Sequence, residues 1–183
     1  MAEAPILTLD LATLTGAAIG AGDVLPDLSH VVLPKTGEDG GAFFWAYRSW
    51  LLGMIDEHTP AVIVFESPIL PRPFIKDGRV ISPTNIVTTR RLQGLAAITE
   101  EVAYEAGLDC REVSVQAVKK ALTDYGNASK ADMMIVARQY GLEPLVHDEA
   151  DAFAIWLCAI RQLRPHHAAR WDFAYGRPAR RMA

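Results

Sequence analysis

Two short apolar runs, each closing on an acid, constrain this chain more than any other feature in it. Pro5-Ile-Leu-Thr-Leu ends on Asp10, and Ala61-Val-Ile-Val-Phe, bounded by Pro60, ends on Glu66. Runs of this length, rich in branched apolar residues and bounded by turn formers, read as strands rather than helices. In an open α/β sheet the ligand sites lie beyond the carboxyl ends of the strands, where separate strands converge. Asp10 and Glu66 are therefore candidates for one site.

The rest of the chain supplies the frame. Residues 16–22 and 28–34 read as two further strands, with turns at Gly22-Asp23 and from Pro34 to Gly41. Phe43 to Glu57 has helical spacing, with Phe44, Tyr47, Leu51 and Ile55 on one face. Residues 67–83 hold Pro68, Pro71, Pro73 and Pro83 and are expected to form a long surface loop. A long helix follows from Thr84 to Ala106, ending near Gly107, then a fifth strand over 109–115. Ser114–Leu122, Ser129–Tyr140 and Asp148–Leu163 read as three helices, the second with Ser129 as its N-cap. The order β-β-β-α-β-α-β-α-α-α predicts an α/β fold. Its five-stranded mixed sheet runs antiparallel through three strands and then parallel, with helices on its faces.

A chain of 183 residues with half of them apolar fits one domain and one core, expected over residues 1–163. Residues 164–183 read as a basic, loosely held tail. Cys110 and Cys158 lack metal-ligand spacing and read as reduced core residues of a cytoplasmic protein. The apolar stretch from Ala4 to Gly22 lacks a basic leader, follows Glu3 and is broken by Asp10, so neither a secretory nor a membrane-spanning reading fits it. The net charge of −4 is unevenly spread. From Arg161 onward six arginines face one aspartate, a local +5, which leaves −9 on the first 160 residues. An acidic body of that kind can still meet nucleic acid where cations line one face and metal ions neutralise the acidic centre.

Asp148 and Asp151 stand three residues apart and share one face of their predicted helix. With Asp10 and Glu66 they make four carboxylates, a set that repels itself unless cations sit between its members. Hard oxygen donors with no Cys or His cage favour Mg²⁺ or Mn²⁺. The chemistry that uses such a set is phosphodiester hydrolysis by two metal ions about 3.5–4 Å apart, with water as the nucleophile. Asp10, on a central strand, is expected to bridge both ions. Glu66 and Asp151 would each hold one, and Asp148 would complete the shell.

The sequence resembles the RuvC-type Holliday junction resolvases from Ile6 to about Ala159. The anchors are Leu9-Asp10-Leu-Ala-Thr-Leu-Thr-Gly16, Val64-Phe-Glu66, Val118-Lys119-Lys120-Ala121, Ala128-Ser129-Lys130-Ala131-Asp132 and Asp148-Glu-Ala-Asp151-Ala-Phe-Ala. The resemblance implies an RNase H-like fold, a homodimer, a divalent metal, and paired nicks across four-way DNA that leave 5′-phosphate and 3′-hydroxyl ends. The family's metal-binding acids fall on Asp10, Glu66, Asp148 and Asp151, and its two functional lysines on Lys119 and Lys130. Lys130 would stabilise charge building on the scissile phosphate, and Lys119 would hold a phosphate nearby. The sequence departs from the family in carrying Leu11-Ala12 where Pro-Gly is usual after the first acid. It also has Ile69 where several resolvases place an aromatic that stacks at the junction centre, and Phe74 is the candidate substitute.

Arg72, Lys76 and Arg79, with Arg90 and Arg91 at the next helix, are expected to contact DNA phosphates. The tail arginines Arg177, Arg180 and Arg181 would add non-specific affinity. His147, beside Asp148, is a further candidate for the metal shell. The long helix carries Ile86, Leu92, Leu95, Ala96 and Val102 and occupies the region this family uses for dimerisation. Two alternatives share the sheet topology. One is a relaxed nuclease for branched DNA or RNA–DNA hybrids. The other is an actin or sugar-kinase type phosphotransferase, whose second nucleotide-binding domain has no room in 183 residues. No nucleotide cofactor and no membrane partner are expected.

Overall fold

A computed structural model of the protein describes residues 3–35, 37, 39–68, 74–76, 79–81, 86–123 and 129–172. Three strands open the chain: β1 (Ile6–Asp10), β2 (Leu14–Gly20) and β3 (Asp27–Val32). Helix α1 (Gly41–His58) follows, then β4 (Val62–Glu66). Two three-residue strands, β5 (Phe74–Lys76) and β6 (Arg79–Ile81), precede α2 (Ile86–Glu105) and β7 (Asp109–Val113). The chain continues through α3 (Val115–Thr123), α4 (Lys130–Gln139), α5 (His147–Leu163) and α6 (Pro165–Asp172).

Five strands form one sheet in the order β3-β2-β1-β4-β7. β1 pairs antiparallel with β2 and β2 with β3, whereas β1 with β4 and β4 with β7 are parallel. The expected mixed sheet is therefore present, and β1 lies at its centre. Period-two alternation then sorts the strand side chains onto two faces. Leu7, Leu9, Ala17, Ile19, Ile63 and Phe65 pack with Phe43, Tyr47 and Leu51 of α1 and with Leu95 and Val102 of α2. Ile6, Ala18, Val62 and Val64 pack with the helices of the other face, above all with α5, which is buried continuously from Ala152 to Ile160.

Helix α5 lies against β1 and β2 because those strands keep small or polar-matched residues beneath it. The buried Thr8 hydroxyl stands 2.9 Å from the Ala152 carbonyl and 3.1 Å from that of Ala18, and donates to one of them at a time. The Trp156 indole donates to the Gly20 carbonyl at 3.0 Å. On the other face, Thr99 donates to the Leu95 carbonyl at 2.8 Å, so the Tyr47 hydroxyl donates to Thr99 at 2.6 Å. Both pairs satisfy polar atoms that would otherwise be costly inside a core.

Two expectations are corrected. Residues 67–83 are not loop throughout, because β5 and β6 pair antiparallel with Phe74 opposite Ile81. The prolines flank Phe-Ile-Lys and Arg-Val-Ile instead of interrupting them, and Asp77-Gly78, a dipeptide typical of two-residue hairpin loops, separates the two runs in sequence. Nor is the C-terminal segment loosely held from residue 164. Pro165 opens α6 at the first helical position, where its missing N–H costs nothing. Trp171 is buried, donates to the Gly22 carbonyl at 2.9 Å and packs edge-on against Trp156. Arg164 also donates to the carbonyls of Ala4 and Ala21. Arg177, Arg180 and Arg181 lie outside the described residues.

Cys158 is buried and Cys110 half-buried, both free thiols, as expected of reduced packing residues. Among the described residues no helix is long and apolar enough to cross a membrane.

Candidate metal centre

Asp10 and Glu66 end the two adjacent parallel strands, each on the α5-facing row: Ile6, Thr8, Asp10 on β1 and Val62, Val64, Glu66 on β4. They stand one step beyond the Leu9–Phe65 pair, and neighbouring strands run about 4.8 Å apart. Asp148 and Asp151 arrive from the first turns of α5. Gly16 makes that approach possible. It pairs with Asp10 across β1 and β2, and a Cβ added to it would lie 2.0 Å from the Asp148 carbonyl oxygen and 2.2 Å from its carbon. No L side chain fits between this strand and the start of α5.

The charges of the neighbouring acids act on Asp10, Glu66 and Asp151. Burial, and then the charges of Asp151, Glu66 and Asp148, push the Asp10 carboxyl well above the usual carboxylate range, with Lys130 opposing. Glu66 is pushed from 4.5 up to about 7, by burial first and then by Asp151, against Lys119 and Lys130. Asp151 is also raised, by burial first, with Asp148 adding to the shift and Lys130, His147 and Lys119 resisting it. Acids from β1, β4 and α5 thus share one field, which Lys130, Lys119 and His147 reduce without cancelling.

The lysines come from helices packed against α5. Lys130 is the first residue of α4, behind the Ser129–Asp132 capping box, and its Nζ stands 3.9 Å from Asp151 Oδ2 with its side chain two-thirds exposed. A cation is unfavourable at a helix N-terminus, so its partner there is the carboxylate. Lys119, on α3, acts on both Glu66 and Asp151. His147, at the first position of α5, also acts electrostatically on Asp151.

The acids do not close into a single-ion cage. Among the described residues only Glu3, His166 and His167 bring three ligand atoms within 4.8 Å of one another. That group lies at the opposite end of β1, where Arg164 Nε also contacts Glu3 at 3.2 Å. A set of hard oxygens gathered from β1, β4 and α5 fits Mg²⁺ or Mn²⁺ rather than a soft ion.

Other expected contacts divide. Arg90 is exposed on α2. Arg91 is engaged by its own chain, donating to the Gly37 carbonyl at 2.6 Å and lying 4.9 Å above the Phe43 ring. Arg72 and Ile69 lie outside the described residues, as do the side chains of Phe74, Lys76 and Arg79. In α2 the expected dimer residues split: Leu95, Ala96 and Val102 are buried in the core, whereas Ile86 is 83% exposed.

Sequence reasoning passed over His30 and Glu149. Glu149 is 3% exposed. It accepts the Leu145 N–H at 2.6 Å and meets His30 Nδ1 at 2.7 Å. Its position three residues after Val146, an N-cap without a side-chain oxygen, was the available signal, since an acid there reaches back to cap the helix start.

The shared field has a measurable consequence. Glu66 titrates near 7 in the fold against 4.5 in the open chain, so the metal-free native state holds the extra proton between those values. Its contribution to stability is whole below about 4.5 and fades as pH rises through about 7. Glu66→Gln removes that loss. Its melting temperature in chelator should match the parent near pH 4 and exceed it by several degrees at pH 8. An equal offset at both pH values would contradict the shared field.

No protein-family model matches the chain. Two curated crossover junction endodeoxyribonucleases RuvC, from Clavibacter sepedonicus and Clavibacter michiganensis subsp. michiganensis, are 30% and 29% identical to it over 109 residues. The match covers 58% of this chain and 48% of each relative, so the chain spans about half the length of the curated relatives it matches. Among solved structures, Thermus thermophilus RuvC in complex with Holliday junction substrate superposes with a TM-score of 0.68 at 18% identity, over 90% of this chain and 98% of that one. The yeast mitochondrial Holliday junction resolvase gives 0.53 at 14% identity, over 90% and 83%. The fold matches that of these RuvC-type structures, and the similarity to RuvC proteins expected from the sequence is found again in the two curated relatives.

Proposed function

We propose that this chain is a crossover junction endodeoxyribonuclease, a metal-dependent enzyme that resolves four-way DNA junctions by paired nicks. The observation that carries this reading is the convergence of Asp10 and Glu66, at the carboxyl ends of adjacent central strands, with Asp151 and Asp148 of α5, whose charges act on Asp10. The likeness to a RuvC bound to a Holliday junction supports the choice of substrate.

Asp10, at the centre, would face both of two Mg²⁺ or Mn²⁺ ions, with Glu66 and Asp151 each holding one and Asp148 completing the set. Two such ions supply the electrostatic clamp on the attacking and leaving oxygens of an in-line displacement at phosphorus. The chain's own residues then have separate tasks. The carboxylates fix where the phosphate sits and stay free of any covalent step, because water is the nucleophile. Lys130, held at the rim by Asp151, offsets charge building on the scissile phosphate. Lys119 seats a neighbouring phosphate, and Arg90, with Arg72, Lys76 and Arg79 on the sequence reading, would contact further phosphates. Cleavage leaves 5′-phosphate and 3′-hydroxyl ends. A homodimer with two sites related by a two-fold axis would match nicks on opposite arms, and the exposed start of α2 supports such an interface.

Synthetic four-way junctions, flaps and RNA–DNA hybrids of equal length, compared in the same salt, test the proposal. Symmetric nicks on the four-way substrate, dependent on Mg²⁺ or Mn²⁺ and religatable, are expected. Preferential cutting of hybrids or flaps would instead establish the relaxed nuclease of the same fold. That alternative draws its support from Ile69, which stands where several resolvases carry an aromatic.

A further inference from the structure

Asp10, Gly16 and His30 form one row across β1, β2 and β3: Asp10 pairs with Gly16, and Gly16 pairs with His30. The first turn of α5 lies over this row, with the Asp148 carbonyl against Gly16. The next residue, Glu149, turns away from the acids toward β3. Both of its oxygens are used, one by the Leu145 N–H at 2.6 Å and one by His30 Nδ1 at 2.7 Å. Since a carboxylate only accepts, the histidine ring nitrogen donates. Glu149 is buried and its His30 partner is 28% exposed.

We propose that His30 and Glu149 are positioning residues that hold the start of α5 against the sheet, and so set the spacing of Asp148 and Asp151 from Asp10 and Glu66. This inference rests on the metal-binding reading of the four acids. Three features make the pair suited to the task. Gly16 removes every side chain that would limit how close the helix comes, so something else must fix its height and angle. Val146 gives the helix no side-chain cap, which leaves Glu149 as the anchor of the turn. Repulsion among the acids also pushes Asp148 and Asp151 away from the strand ends, and the tie to β3 opposes that displacement from the opposite side of the turn.

The test uses the full chain without DNA, titrated with Mn²⁺ by calorimetry near neutral pH. The parent, Asp10→Asn, His30→Phe and His30→Gln are compared, with circular dichroism melts alongside. Phenylalanine fills the space without a donor, while glutamine keeps a donor. His30→Phe is expected to weaken Mn²⁺ binding about 10-fold or more, on the scale seen when groups supporting metal ligands are removed. His30→Gln should stay within about threefold of the parent. A folded His30→Phe protein that binds Mn²⁺ as tightly as the parent, while Asp10→Asn loses binding, overturns the positioning role alone. So does equal weakening by both His30 variants, which would assign the effect to shape. If Asp10→Asn binds Mn²⁺ like the parent, the metal reading itself falls and this inference falls with it.

Discussion

Asp10→Asn should lose cleavage by roughly 10³-fold or more while gaining stability and keeping its affinity for DNA. The loss follows from the position of Asp10 at the centre of the four acids. Removing the group proposed to face both cations would forfeit several kcal/mol of transition-state stabilisation, and each decade of rate is about 1.4 kcal/mol. The gain follows from the same geometry. Burial and three neighbouring carboxylates hold the Asp10 carboxyl far above its ordinary range, so its charged form opposes folding, and that opposition grows as pH rises. An amide of the same shape carries no such charge. At pH 8 in chelator the variant should melt above the parent, by a margin that narrows as pH falls. Millimolar Mn²⁺ should raise the melting temperature of the parent and leave the variant unmoved, because binding to the native state alone stabilises it. A variant that still cuts at more than a tenth of the parental rate would contradict the assignment of Asp10.

Gly16→Ala should damage the site almost as severely, by a different route. The added carbon would meet backbone atoms of Asp148 at 2.0 and 2.2 Å and of Glu149 at 2.8 Å. None of these can rotate aside, so the start of α5 must lift from the sheet. Overpacking of this kind costs about 1–3 kcal/mol. A misplacement of about 1 Å in a catalytic constellation costs roughly 10² in rate. Gly53→Ala is the matched control. Gly53 lies exposed in α1 with nothing within 4 Å of its added carbon, so alanine there should stabilise the helix by up to about 1 kcal/mol and leave cleavage intact. Gly16→Ala with parental activity and Mn²⁺ affinity would show that the close approach of α5 is not needed.

The sequence made the sheet and the four acids legible because both depend on local pattern. Short apolar runs bounded by turn formers and closing on Asp10 and Glu66 read directly as strand ends, and the three-residue spacing of Asp148 and Asp151 reads directly as a helix face. What escaped depends on meetings between distant segments or on patterns masked by composition. Gly16 could be seen as part of a motif, but its purpose emerges only once α5 lies across β2. His30 is a lone histidine on a strand, and only the fold brings Glu149 to it. The β5–β6 hairpin was hidden by prolines that prove to flank it. Helix α6 was hidden by the arginines around Trp171, the side chain that anchors it. Arg91, read as a phosphate contact, is taken up by Gly37 and Phe43, since long α2 side chains also cover α1.

The most direct measurement is an anomalous difference map from crystals soaked in Mn²⁺ near neutral pH. Two peaks about 3.5–4 Å apart are expected, enclosed by the carboxylates of Asp10, Glu66, Asp148 and Asp151, with Asp10 touching both. A map with Mn²⁺ elsewhere on the protein and none among these four acids would contradict the account.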